Sequence, residues 1–191
     1  MQTPILVLDN YDSFTYNLVH YLEKFSHSEI HVYRNDEILL SEIDSYQKIV
    51  LSPGPGLPKD AGILCEVIKH YSPNKTILGI CLGHQAIAEV FGGELYNLPE
   101  VYHGVGHSVS IIKASAISAG IPEKFNAGRY HSWAVKKENL PDCLDIIMED
   151  ENGVIMGLKH NKFDIYGLQF HPESVLTEHG EKFIENWLNF L

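Results

Sequence analysis

The sequence predicts an α/β protein built on an open, mostly parallel, twisted sheet with helices on both faces, together with a small antiparallel β element in its second half. Three observations predict this. Through the first half, short β-branched runs alternate with longer amphipathic segments, and repeated strand–helix alternation implies parallel strands joined by crossover helices. Beyond Glu94 the apolar runs shorten and become β-rich, and Glu151-Asn152-Gly153 separates two of them in the manner of a hairpin. No internal repeat, low-complexity tract or linker interrupts the chain, so residues 1–191 are read as one domain.

Each element has a local reason. Ile5-Leu6-Val7-Leu8 is an uninterrupted apolar run closed by polar Asp9-Asn10, the pattern of a strand buried on both faces. Asp12 or Ser13 can cap a helix through Phe14, Leu18, Tyr21 and Leu22, which recur at helical spacing. Residues 30–33 give a second strand and 48–52 a third, stopped abruptly by Pro53-Gly54-Pro55-Gly56. A helix over about residues 62–71 leads to a fourth strand at 76–80. A further helix covers roughly 83–91 and ends at Gly92-Gly93. Phe183, Ile184, Trp187 and Leu188 mark a terminal helix within residues 177–191. In open parallel sheets, reactive groups gather beyond the carboxyl ends of strands, which directs attention to the residue after each one.

Composition narrows the function classes. The chain of 191 residues is 45% apolar and 10% aromatic, ample for a packed core. Lys and Arg number 14 against 25 Asp and Glu, a formal charge of −11, and no basic run exceeds the pair Lys136-Lys137. Such a surface repels phosphate backbones, so nucleic acid is not an expected partner. Cys65, Cys81 and Cys143 are too sparse and odd in number for a disulfide framework. No stretch approaches the ~20 apolar residues that cross a bilayer, and the N-terminus lacks the basic and apolar regions of a signal peptide. A soluble cytoplasmic protein without membrane association is expected.

Gly79-Ile80-Cys81-Leu82-Gly83 is the most informative pentapeptide. It has the form of a nucleophile elbow, with Cys in the place of Ser, set between a strand and a helix. A nucleophile on so sharp a turn is crowded, and flanking glycines relieve the crowding. A cysteine at a helix N-terminus also meets the positive end of the helix dipole, which favours thiolate. Leu168-Gln169-Phe170-His171-Pro172-Glu173 delivers His171 at the end of an apolar strand, with Glu173 two residues on and on the same side of an extended chain. A thiol nucleophile needs a neighbouring imidazole, and that imidazole needs an acceptor to hold its tautomer. The loop Ser52-Pro53-Gly54-Pro55-Gly56 is stiffened by its prolines, while its glycines let N–H groups approach a ligand. One such N–H, with that of Leu82, can form an oxyanion hole. Eleven histidines raise a metal alternative, but His103 and His107 are separated by Gly104 and Gly106, and no thiolate or carboxylate spacing completes a zinc site. No metal and no cofactor are expected. Cys65 and Cys143 read as packing residues.

Strand-PGPG, then GICLGHQ, then HPE, in that order, resembles the triad-type (class I) glutamine amidotransferases, and the match covers essentially the whole chain. Asp9-Asn10-Tyr11-Asp12-Ser13-Phe14-Thr15-Tyr16-Asn17-Leu18 is similar to subunits serving chorismate-using enzymes, namely aminodeoxychorismate (para-aminobenzoate) synthase and anthranilate synthase; Arg129-Tyr130-His131-Ser132 and Phe170-His171-Pro172-Glu173-Ser174 point the same way. The resemblance implies a flavodoxin-like fold and a triad of Cys81, His171 and Glu173. It further implies oxyanion-hole amides at Gly56 and Leu82, and a glutamine site formed by Gly54, Pro55, Gly56, Leu82, Gln85, Ser132 and Trp133. It implies hydrolysis of L-glutamine through a Cys81 thioester and delivery of ammonia to a chorismate-aminating synthase subunit. The para-aminobenzoate role is preferred, with the anthranilate role, or both, as the alternative. Two positions depart from the family pattern: Trp133 stands where a small aliphatic residue is usual, and Val105 where many relatives carry Lys after the pair matched by His103-Gly104. A cysteine peptidase on a similar scaffold could use the same elbow. A flavodoxin-like binding module would want a small phosphate loop after the first strand, where Asp9-Asn10-Tyr11-Asp12 is acidic and bulky.

Overall fold

A computed structural model of the chain describes residues 3–99 and 104–189. His103 lies outside the described residues. In chain order the elements are β1 (Ile5–Asp9), α1 (Thr15–Phe25), β2 (Ile30–Arg34), β3 (Lys48–Leu51), α2 (Leu64–Tyr71), β4 (Thr76–Ile80) and α3 (Leu82–Val90). There follow β5 (Leu95–Asn97), β6 (Val105–Ile111), β7 (Lys124–Arg129), β8 (Trp133–Val135), β9 (Leu144–Asp150), β10 (Ile155–His160), β11 (Ile165–Leu168) and α4 (Gly180–Leu188). Short 3-10 turns occupy Leu40–Ser45, Pro58–Asp60 and Ala116–Ser118.

One sheet of nine strands runs in the order β2-β1-β3-β4-β11-β10-β9-β6-β7. Its first five strands are parallel neighbours, and from β11 onward each pair is antiparallel. β5 and β8 form the separate two-stranded antiparallel element. The β-rich second half therefore extends the parallel sheet rather than standing apart from it. The turn at Glu151-Asn152-Gly153 does join β9 to β10: Gly153 takes a φ of 78°, and the Asp150 carboxylate accepts the N–H groups of Asn152 (2.9 Å) and Val154 (2.8 Å).

Strand alternation sorts the core into two layers. Ile5 and Val7 point to the face covered by Leu18 and Leu22 of α1 and Phe183, Ile184 and Trp187 of α4. Leu6 and Leu8 point to the opposite face, beneath Leu64, Val67 and Ile68 of α2 and Ala86 and Ile87 of α3. Period-two alternation along a strand buried on both sides produces this division. Cys65 and Cys143 are partly buried and pack against the second layer. Helix α1 starts at Thr15, without a side-chain cap on its N-cap residue; the Asp12 carboxylate instead accepts the Phe14 N–H (2.8 Å), and Asp9 accepts the Thr15 hydroxyl (2.8 Å). Buried Asp9 competes for the first turn, and the helix starts one to two residues later than a cap at Ser13 or Asp12 would place it. Among the described residues no helix is long and apolar enough to cross a membrane.

Candidate active site

The parallel half of the sheet assembles the site. β3, β4 and β11 are adjacent, with Leu51 opposite Gly79 and Leu168 opposite Ile80, so their carboxyl ends finish at one level. Adjacent strands lie about 4.8 Å apart. The Pro/Gly loop after β3, Cys81 after β4 and His171 beyond β11 therefore converge on one rim although up to 119 residues separate them in sequence (171 − 52).

Cys81 sits at φ 50°, ψ −97°, between β4 and α3. A non-glycine residue there is strained, and strain of this kind is held where the surroundings over-determine it. The Cys81 N–H is anchored on the Leu168 carbonyl at 2.8 Å. The flanking glycines are obligatory on steric grounds: a Cβ on Gly79 would lie 2.5 Å from the Gly83 carbonyl group, and one on Gly83 would lie 2.6 Å from the Leu51 oxygen. The spacing G-x-C-x-G thus lets the first turn of α3 rest directly on β3 and β4. Leu82 opens α3, and among the described residues its N–H has no backbone acceptor, as expected of a first-turn donor.

His171 and Glu173 are both buried, 2% and 3% exposed, and His171 Nδ1 lies 2.7 Å from Glu173 Oε1. The His171 ring is walled by Tyr130 (centroids 4.8 Å) and by Phe14 (5.5 Å). Its backbone is tied at both ends: the N–H donates to the Gly128 carbonyl and the carbonyl accepts from the Thr177 hydroxyl. Burial by itself lowers the imidazole pKa, but the Cys81 side chain and the Glu173 carboxylate outweigh it and hold His171 well above 6.5. Nε2 is buried, meets no oxygen or nitrogen partner among the described residues, and is the ring nitrogen left to interact with the Cys81 side chain.

A cavity of about 170 Å³ opens beside the sulfur, lined by Gly54, Pro55, Gly56, Cys81, Gln85, Tyr130, His131, Ser132 and Trp133. Every residue expected to bind substrate except Leu82 lines it. The Leu82 side chain is turned into the core and packs against the Pro/Gly loop, where a Cβ on Gly54 would lie 2.8 Å from Leu82 Cδ2 and 2.5 Å from the Asn10 carbonyl oxygen. Gly56 holds φ 77°. Trp133 lines the cavity without filling it. Val105 begins β6, is 46% exposed, and lies outside the cavity lining.

The N-terminal signature is scaffolding for this loop. The Asn10 N–H donates to Ser52 Oγ (2.8 Å), its side-chain amide donates to the Ser52 carbonyl (2.8 Å), and Asn35 holds the Asn10 side-chain oxygen (3.0 Å). Behind Gln85 lies a buried polar chain that gives the signature residues Arg129 and His131 a structural role and adds Asp150, which the sequence did not single out. Asp150 and Arg129 pair at 2.5 Å with side chains 1% and 0% exposed. Arg129 Nε donates to His131 Nε2 (3.1 Å), and His131 Nδ1 meets the Trp133 carbonyl (2.8 Å). Burial, reinforced by the Arg129 charge, pushes His131 down to about 3, so it stays neutral. Among the described residues no three His, Cys, Asp or Glu side chains converge as metal ligands.

The class-I glutamine amidotransferase family model matches residues 6–190, and the chain belongs to that family. It is 42% identical over 187 residues to aminodeoxychorismate synthase component 2 of Escherichia coli, covering 97% of this chain and 99% of that one. It is 42% identical over 186 residues to the aminodeoxychorismate/anthranilate synthase component 2 of Bacillus subtilis, covering 96% and 95%. Against the bifunctional protein TrpGD of Thermotoga maritima it is 44% identical over 188 residues, but it spans only 32% of that longer protein. Among solved structures, a Thermoplasma acidophilum protein provisionally described as a GMP synthase subunit superposes with a TM-score of 0.88 at 27% identity, covering 98% of this chain and 93% of that one.

Proposed function

We propose that the chain is the glutaminase subunit of a chorismate-aminating synthase, with Cys81, His171 and Glu173 as its catalytic triad. The carrying observation is the buried 2.7 Å His171–Glu173 pair, whose imidazole is perturbed by Cys81 at the mouth of a 170 Å³ cavity.

In this reading Cys81 thiolate attacks the side-chain carboxamide carbon of L-glutamine, forming a C–S bond and an oxyanion. The N–H groups of Leu82 and Gly56 face the developing charge, which is where fixed donors contribute most. His171, as imidazolium, gives its proton to the departing nitrogen; the C–N bond breaks and ammonia leaves. Neutral His171 then takes a proton from water, whose oxygen attacks the thioester; the C–S bond breaks and glutamate is released. Glu173 keeps the imidazole oriented and stabilises its charged form. Gln85 spends its N–H groups on the Trp133 carbonyl and Gln169 Oε1, so its side-chain oxygen is left to accept from a donor on the substrate. Ser132 and Trp133 border the cavity through a segment held by Leu98 and His131 and receive the amino-acid end.

The partner is a component I subunit that binds chorismate, a role supported by the relatives named component 2. The test combines the chain with each candidate synthase, chorismate and L-glutamine, and identifies the amination product as aminodeoxychorismate, the non-aromatic para-aminobenzoate precursor, or as anthranilate. Cys81→Ser is expected to abolish glutamine-supported turnover and to leave ammonia-supported turnover by the synthase intact. Survival of glutamine-supported turnover in Cys81→Ser overturns the assignment.

A further inference from the structure

Gln169 is fully buried, one residue beyond β11 and flanked by apolar Leu168 and Phe170. A primary amide in such surroundings is costly unless its groups are paired. Its oxygen accepts from Gln85 Nε2 at 3.2 Å, and its own Nε2 donates to Cys81 Sγ at 3.6 Å. We propose that Gln169 is a further catalytic residue, one that donates a hydrogen bond to the Cys81 sulfur and stabilises its thiolate.

The direction of that bond follows from the chain behind it. An amide can be reversed end for end, so the network must decide which end faces sulfur. Gln85 Nε2 also donates to the Trp133 carbonyl at 2.9 Å. A carbonyl only accepts, so Gln85 presents its NH2 group there, and the same nitrogen meets Gln169 Oε1. Gln169 is left with its NH2 group toward Cys81. The Trp133 carbonyl is itself fixed by the His131 Nδ1–H, because Arg129 Nε occupies the other ring nitrogen and Asp150 holds the guanidinium. Every bond from Arg129 to the sulfur therefore has one permitted polarity, and it ends as a donor on the nucleophile.

A donor to an ionised acceptor favours the charged form. Before attack it favours thiolate over thiol. When water cleaves the thioester, the C–S electron pair returns to sulfur, and the same donor meets the charge that reappears there. Arg129, Asp150 and His131 act through other groups and are positioning residues.

The test reads the pH midpoint of Cys81 alkylation by iodoacetamide, peptide by peptide, in the full chain. Cys65 and Cys143, partly buried and remote from the cavity lining, serve as internal references. The other titratable groups about the sulfur (His171 with Glu173 beyond β11, Tyr130 and His131 across the cavity, and His84 on α3) are unchanged in the variants. Gln169→Met is expected to raise the Cys81 midpoint by about one pH unit, a tenfold loss of acidity, because the bond is long for one to a charged acceptor. The profiles of Cys65 and Cys143 stay as in wild type. An unchanged midpoint with native reference profiles overturns the proposal. If Gln169→Met unfolds, as fast labelling of both references would reveal, Gln169→Asn withdraws the donor by one methylene and is read the same way. In the wild-type chain, the Gln169 side-chain amide resonances should titrate with the Cys81 midpoint and cease to do so in Cys81→Ser; resonances that never titrate also overturn it. The proposal rests on Cys81 being the nucleophile and not on glutamine being its substrate. A shifted midpoint in a chain that fails to hydrolyse glutamine would refute the proposed function and leave Gln169 in place.

Discussion

Replacing Asp150 by Asn tests whether the remote end of the polar chain matters to the site. The carboxylate is 1% exposed, 2.5 Å from a guanidinium that is itself 0% exposed, and it also accepts the Asn152 and Val154 N–H groups at 2.9 and 2.8 Å. An asparagine retains one oxygen for the turn, but its NH2 group then faces Arg129 with no acceptor between them. Breaking a buried pair while leaving one charge behind costs about 3–5 kcal/mol. For a chain of this size each kcal/mol is worth about 2–4 °C, so a fall in Tm of roughly 6–20 °C is expected. The activity signature differs from simple loosening: an unheld Arg129 releases His131 and with it the Trp133 carbonyl, so KM for glutamine should rise by more than kcat falls. Calorimetric melting and steady-state glutaminase assays with the synthase partner supply both readouts. A Tm within about 2 °C of wild type, together with unchanged KM, would refute the account of Arg129–Asp150 as a buried pair that positions the substrate site.

Three other perturbations probe the same geometry. Glu173→Gln should leave the fold intact, lower the His171 pKa toward 6.5, and reduce glutamine-supported kcat by roughly 10³–10⁴-fold, by analogy with loss of the acid in other triads; the pH–rate profile of the variant checks it. Gly83→Ala places a Cβ 2.6 Å from the Leu51 oxygen and should destabilise by about 1–3 kcal/mol or more in urea titrations. Finally, burial lowers His84 to about 4, and burial with the Arg129 charge lowers His131 to about 3. Below 6.5 the unfolded chain takes up protons that these two rings refuse in the native state, so stability falls as pH drops from about 6.5 toward 4, with a limiting slope near 1.4 kcal/mol per pH unit for each ring. His171, raised instead, contributes stability present below 6.5 and lost as pH rises through its folded value. Urea midpoints in His84→Gln should show a shallower acid limb.

What the sequence made legible was whatever had a local steric or chemical cause. The elbow could be read because Gly79 and Gly83 are forced by contacts that any strand-to-helix turn of this tightness creates. His171 and Glu173 could be read as a pair because they are two residues apart, but the reason differs from the extended chain expected: residues 172–173 form a turn, closed by the Ser174 N–H on the His171 carbonyl (3.2 Å), that brings the carboxylate to the imidazole. The three parallel pairings among β1 to β4 followed from strand–helix alternation, whereas the parallel pairing of β11 with β4 did not. Long-range polarity could not be read. Gln169 meets Cys81 across 88 residues and Gln85 meets Trp133 across 48, and both contacts depend on the order of strands in the sheet. A buried Gln between Leu168 and Phe170 was the one available signal, a polar side chain where an apolar strand should continue. The start of α1 at Thr15 was hidden for a related reason, since Asp9, three residues before Asp12, holds the turn from the end of β1. Likewise nothing in the signature around Asn10 shows that this residue clamps Ser52 of the Pro/Gly loop, 42 residues away.

The central claim is that one cysteine of the three attacks a glutamine side chain. It is tested most directly with a glutamine analogue carrying a diazoketone in place of the carboxamide, followed by peptide mass spectrometry. The predicted result is stoichiometric label on Cys81, suppressed by excess L-glutamine and absent from Cys65 and Cys143. Label spread over all three cysteines, or label on Cys81 that L-glutamine does not suppress, would contradict it.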